Sequence, residues 1–131
     1  MRLPDWQLRL AKFGQARASM PFAWGSNDCC TFTADAVKAI TGKDLRGAFP
    51  TYEGEMRALR AIAAGGGLQQ LASNLLGDPV NPKMAAVGDV VLVLNAEREM
   101  LAICNGTSAI APGKYGMVLV SMEAALAAWR I

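Results

Sequence analysis

The 131-residue chain contains no histidine. Every mechanism that uses an imidazole as general base, metal ligand or pH switch is therefore closed to this chain acting alone. Serine and cysteine triads of the usual kind, HExxH metalloproteases and histidine-containing zinc fingers are excluded together. A charge excess is missing too. Thirteen Lys and Arg face eleven Asp and Glu, a net charge of +2, which gives no electrostatic case for nucleic acid as a partner. Cysteine is scarce: Cys29, Cys30 and Cys104. An odd number with one adjacent pair does not form the disulfide framework of a small secreted domain. Adjacent cysteines on a helix point about 100° apart and no CxxC spacing exists. The three thiols therefore read as core packing, with no metal and no cofactor expected. Long apolar runs are absent as well. The longest, Val90 to Leu94, is far short of the ~20 residues that span a bilayer. Met1 to Trp6 lacks the apolar stretch of a signal peptide. The expectation is a chain made in a reducing cytoplasm, without membrane insertion.

Hydrophobic residues make up 53% of the chain and charged residues 18%. That is enough apolar material for the core of one domain, 1–131. Residues 5–18 predict a helix capped by Asp5, with Trp6, Leu10 and Phe13 on one face and Arg9, Lys12 and Arg17 on a solvated one. A second helix is expected from the N-cap Asp28 to about Thr41. Cys29, Phe32, Ala36 and Ile40 form its buried stripe, and Gly42 stops it. Thr51 is expected to cap a third helix through Ala64, with Met56, Leu59 and Ile62 or Ala63 facing inward. Gly65-Gly66-Gly67 ends it, and a short helix follows over Leu68 to Leu76.

The register changes after Pro82. Val90 to Leu94 reads as a central strand buried on both faces. Ala96-Glu97-Arg98 makes a turn and Met100 to Cys104 returns. Short strands are expected near Thr107 to Ala111 and Met117 to Val120. Ser121 is expected to cap a final helix with Ala125, Leu126 and Trp129 on its inner face. Helices first and strands second define an α+β class, N-terminal helices packed on a small antiparallel sheet.

One position invites chemistry. Cys29 would open a helix, where unpaired N–H groups and the macrodipole favour a thiolate, and Trp24-Gly25 would wall it. Packing of a small cysteine at a helix start is the simpler reading of those residues alone. The segment Phe22-Ala23-Trp24-Gly25-Ser26-Asn27-Asp28-Cys29 nevertheless resembles the nucleophile motif of NlpC-type cell-wall peptidases, of the papain-like superfamily. Val87-Gly88-Asp89-Val90-Val91 resembles their Gly-Asp strand entry, and Met100 to Gly106 the strand that opens with histidine in active relatives. With Ala128-Trp129-Arg130 at the end, the whole chain resembles small phage-encoded NlpC-like domains found among tail genes.

The resemblance implies a papain-like, NlpC-like fold with Asp28 before the nucleophile and Cys29 as nucleophile. Met100 stands in place of the histidine and Ala111 in place of the third member; Trp24 and Phe22 belong to the cleft. Neither replacement accepts a proton or orients an imidazole, and missing triad members cost several orders of magnitude. Lys83, Lys114 and Glu99 are candidates for a substitute base, which for lysine requires strong desolvation. The resemblance thus implies a structural or assembly component of a phage tail tip, located in the virion. Its implied partners are other tail proteins, with cell-wall peptide as a further ligand. The alternative is a cysteine peptidase or amidase that cleaves host peptidoglycan during DNA entry. A third is a module that binds a peptide in the old groove.

Overall fold

The computed structural model describes residues 1–49 and 54–131. Four helices precede a five-stranded antiparallel sheet among the described residues: α1 (Trp6–Arg17), α2 (Cys29–Thr41), α3 (Glu55–Ala64) and α4 (Leu68–Leu76). The strands are β1 (Val90–Asn95), β2 (Arg98–Cys104), β3 (Ser108–Gly113), β4 (Gly116–Ser121) and β5 (Ala125–Trp129), in the order β4-β3-β2-β1-β5. The α+β expectation holds. No helix is long and apolar enough to cross a membrane, among the described residues.

The best-specified element is α2. Asp28 accepts the Thr31 N–H while the Thr31 hydroxyl accepts the Asp28 N–H, which satisfies donors that the first helical turn leaves free. Gly42, at φ 81°, closes the other end with its N–H on the Lys38 carbonyl. Phe32, Ala36, Val37 and Ile40 bury completely against the sheet, and Phe13 of α1 meets Phe32 edge-on at 4.9 Å. Cys29, expected within this stripe, is only partly buried. Asp5 does not cap α1. Its carboxylate instead takes Arg9 one turn on, at 2.9 Å.

Alternation sorts β1 cleanly. Val90 and Leu92 join the core beneath the helices, whereas Val91 and Val93 enter a second cluster on the far face. That far face is built from small residues, Ala102, Cys104, Ala109, Ala111 and Ala128. Among the described residues no α-helix covers it; Val80 and Ala85, which flank a 3-10 turn at Pro82–Met84, pack there with Met122 and Ala124.

Three expectations are corrected. The predicted C-terminal helix is a 3-10 turn at Met122–Ala124 followed by β5. Alanine favours helix, but β1 offers an open edge and Trp129 pairs with Val90, which buries its ring completely. In α3, Met56 (65% exposed) and Leu59 (44%) do not face the core. Ala58 does, with Ala61 and Ile62 packed beside it. The expected cap Thr51 lies outside the described residues. The strand predicted from Met100 already begins at Arg98, because a two-residue turn, Ala96-Glu97, suffices. Both turn residues have positive φ (51° and 65°), as the tight hairpins that match strand twist require.

The Gly88-Asp89 pair that leads into β1 is a clasp. Asp89 is buried, and its Oδ1 accepts Arg2 Nη2 at 2.8 Å and the Ile131 N–H at 3.1 Å. Its Oδ2 accepts the Ala86 N–H at 2.9 Å. Arg2 also donates to the Val87 and Ile131 carbonyls and lies 4.1 Å over the Trp6 ring. A Cβ on Gly88, at φ 95°, would stand 2.9 Å from that guanidinium, so both the turn and the clasp require glycine there.

Candidate functional site

A cleft of about 1100 Å³ opens at the N-terminus of α2. Its walls come from the Phe22–Trp24 loop, from α3 and α4 through Glu55, Leu59, Ile62 and Leu68, from the β1–β2 hairpin, and from Pro112 to Lys114 at the end of β3. Cys29 and Asp28 form part of the lining.

The capping box positions Cys29. Asp28 is buried with Oδ1 on Thr31, and its Oδ2 accepts the Gly25 N–H at 2.8 Å, which ties the aromatic loop to the helix start. The thiol is held below the ordinary cysteine value. The adjacent Cys30 thiol is the largest cause, burial opposes it, the Leu101 N–H lowers it further, and the Asp28 carboxylate pushes the other way. Strand register explains why Leu101 is available. The β2–β3 ladder pairs Ile103 with Ile110 and Cys104 with Ala109. Continued, it would set Pro112 opposite Leu101, where proline has no N–H to give the Leu101 carbonyl; the pairing ends before it, which leaves the Leu101 N–H to Cys29. The ladder stops there, and the edge of β2 turns to the cysteine.

Phe22 and Trp24 meet edge to face at 4.6 Å, and the Phe22 N–H bonds the Gly113 carbonyl at 2.8 Å. Beneath this loop lies an ionic network. Asn27 is buried, gives its amide to the Met20 and Pro21 carbonyls and accepts Arg17 at 2.9 Å. Arg17 also pairs with Asp35, whose other oxygen takes Arg46 at 2.9 Å, and Arg46 reaches the Ser26 carbonyl. Burial works against ionisation of Asp35, but the hydrogen bonds from Arg46 and Arg17 outweigh it and hold its carboxyl below the ordinary aspartate value. Arg17, expected on a solvated helix face, is therefore a partly buried tie.

The structure brings Phe22, Trp24, Asp28, Cys29 and Met100 to one cleft. Met100, on β2 opposite Val93 of β1, is half-buried and also packs on the far-face cluster. Ala111 is fully buried in that cluster and does not line the cleft. Of the substitute bases, Glu99 and Lys114 reach the lining. Lys83 sits in the Pro82–Met84 turn and does not. The acidic and basic rim of Glu55, Glu97 and Arg98, with Arg98 on Glu55 at 2.7 Å, was not visible in the sequence. Those residues looked like a polar turn and a helix start, with no pattern that joins them. Among the described residues, no group of three His, Cys, Asp or Glu side chains is placed to hold a metal ion.

Fold and site together define an α+β domain with a partly exposed, acid-shifted cysteine in an open cleft that has no histidine to serve it. The chain belongs to the family described as Domain of unknown function (DUF6950), whose family model matches residues 1–131. No curated protein matches it.

Proposed function

We propose that the protein is a structural or assembly component of a phage tail, built on an NlpC-like, papain-like peptidase fold that has lost its catalytic base. The observation that carries this reading is Met100. It lines the cleft at the position where the resemblance calls for histidine, in a chain with no histidine elsewhere. Amide hydrolysis by a thiolate needs a base to form the nucleophile and an acid to protonate the departing amine. The lowered thiol pKa favours the first, and no histidine is present to supply the second. What remains is a scaffold with surfaces, including the aromatic loop above the cleft. Its partners on this reading are other tail proteins, and its place is the tail tip of the virion. Mass spectrometry of purified tail particles tests this. The chain should be present at fixed stoichiometry; its absence from particles overturns the reading.

The lowered pKa of Cys29 favours a second reading, a cysteine peptidase or amidase acting on peptidoglycan, with Glu99 or Lys114 moving the proton. It predicts release of wall peptides by the purified chain, abolished by Cys29→Ala. Absence of release over hours with excess protein excludes it.

A further inference from the structure

The margins of the sheet differ in how they are covered. On β5, Val80 exchanges both backbone bonds with Ala128, at 2.7 and 3.2 Å. The free stretch of β2 lies against Cys29. β4 is the last strand on the other side, and among the described residues only Ala18 bonds its outer edge.

Two bonds fix which backbone groups of β4 point outward. Met117 donates away from β3 to the Ala18 carbonyl, at 3.0 Å, and Met122 donates across to Thr107, at 3.3 Å. Odd-numbered residues therefore turn their N–H and C=O groups to the outside. Met117 is occupied, which leaves Leu119 and Ser121. Tyr115 to Met122 contains no charge and no proline, the ladder with β3 runs without a break, and Leu119 is 66% exposed. Natural edge strands are guarded by lysine, proline or a bulge. This one has none of these.

We propose that β4 pairs antiparallel with β4 of a second copy of this chain, about a two-fold axis through Val120, so that the two sheets become one. Leu119 and Ser121 of each copy exchange backbone bonds with Ser121 and Leu119 of the other. Val120 faces its counterpart, and the Met117–Ala18 bonds are undisturbed. A second copy fits better than another strand because two outward residues spaced two apart are complementary to themselves under a two-fold axis. The Leu119 side chains lie diagonally across the axis, within reach of each other. The charges that bound the bare stretch, Lys114 and Glu123, are of opposite sign. Antiparallel pairing brings unlike ends together, whereas parallel pairing sets like against like. The inference does not rest on the proposed function.

Sedimentation equilibrium of the full chain from 5 to ~200 μM tests it. The expected result is a shift from 13.9 kDa toward twice that mass as concentration rises. Ser121→Pro removes one outward N–H at a residue whose φ is already −61°, and gives up only the Ser121 hydroxyl that accepts the exposed Glu123 N–H. Leu119→Lys places a guard on the exposed edge. Both variants should remain monomeric at the highest concentration with unchanged far-UV circular dichroism, while Lys43→Glu, beyond the far end of α2, still dimerises. Hydrogen exchange on the unmodified chain gives a readout free of variants: the Leu119 and Ser121 amides should slow at high concentration. A monomer throughout, a dimer that survives both variants, or unprotected amides at high concentration would each overturn the proposal.

Discussion

Replacing Asp89 with alanine should be among the most damaging single changes in this protein. Its carboxylate is 5% exposed, it faces an Arg2 guanidinium that is 20% exposed, and it accepts three hydrogen bonds, two of them from the distant Arg2 and Ile131 and one from the nearby Ala86. Removing one partner of a buried, hydrogen-bonded pair leaves the other charge uncompensated, which costs roughly 3–5 kcal/mol. Arg2 keeps the Val87 and Ile131 carbonyls, so the lower end, about 3 kcal/mol, is expected. For a chain of this size that lowers Tm by about 10–15 °C. Urea denaturation of Asp89→Ala, Arg2→Ala and the double variant measures the effect. The double variant should be less damaged than the sum, by about 1.5–3 kcal/mol. A loss below ~1 kcal/mol, or simple additivity, would refute the claim that the Gly-Asp entry to β1 is a structural clasp.

Four further outcomes are expected. Asp28→Ala removes the cap of α2 and the tie to Gly25, and should cost about 1–2 kcal/mol in the same denaturation assay. Asp35, lowered in the folded state, stabilises fully above the unfolded value of about 4, and that contribution is lost as pH falls through the folded value. Midpoints recorded from pH 5 down to 2.5 should therefore fall, and Arg46→Gln should flatten the fall. Replacing Ala96-Glu97, both at positive φ, with Asn-Gly should raise stability by about 1 kcal/mol; a loss would refute the strained-turn reading. Iodoacetamide should alkylate Cys29 with an inflection below that of a free thiol, while buried Cys30 and Cys104 react only after unfolding.

Local chemistry was legible in the sequence where it was self-sufficient. Asp28, the apolar stripe of α2 and Gly42 specify that helix without help from distant residues, and the β-branched run from Val90 specifies a strand buried on both faces. β5 was not legible, because Ala125 to Ala128 favour helix in isolation and become a strand only beside β1. The inward face of α3 was not legible for a related reason. Its large residues Met56 and Leu59 are left to the solvent and the cleft, and the small Ala58 makes the close approach. The clasp on Asp89 joins residues 87 and 42 positions apart, beyond any local pattern. The site was legible in part. Phe22, Trp24, Cys29 and Met100 do share a cleft, but Ala111 lies outside it and the Glu55–Arg98 rim depends on how α3 sits over the hairpin.

The proposed reading, a phage-tail component in which Cys29 occupies a nucleophile's place without acting as one, is tested most directly by the titre of phage carrying Cys29→Ala. The account predicts a titre equal to that of the unmodified phage. A fall of a hundredfold or more, with particles of normal composition, would contradict it.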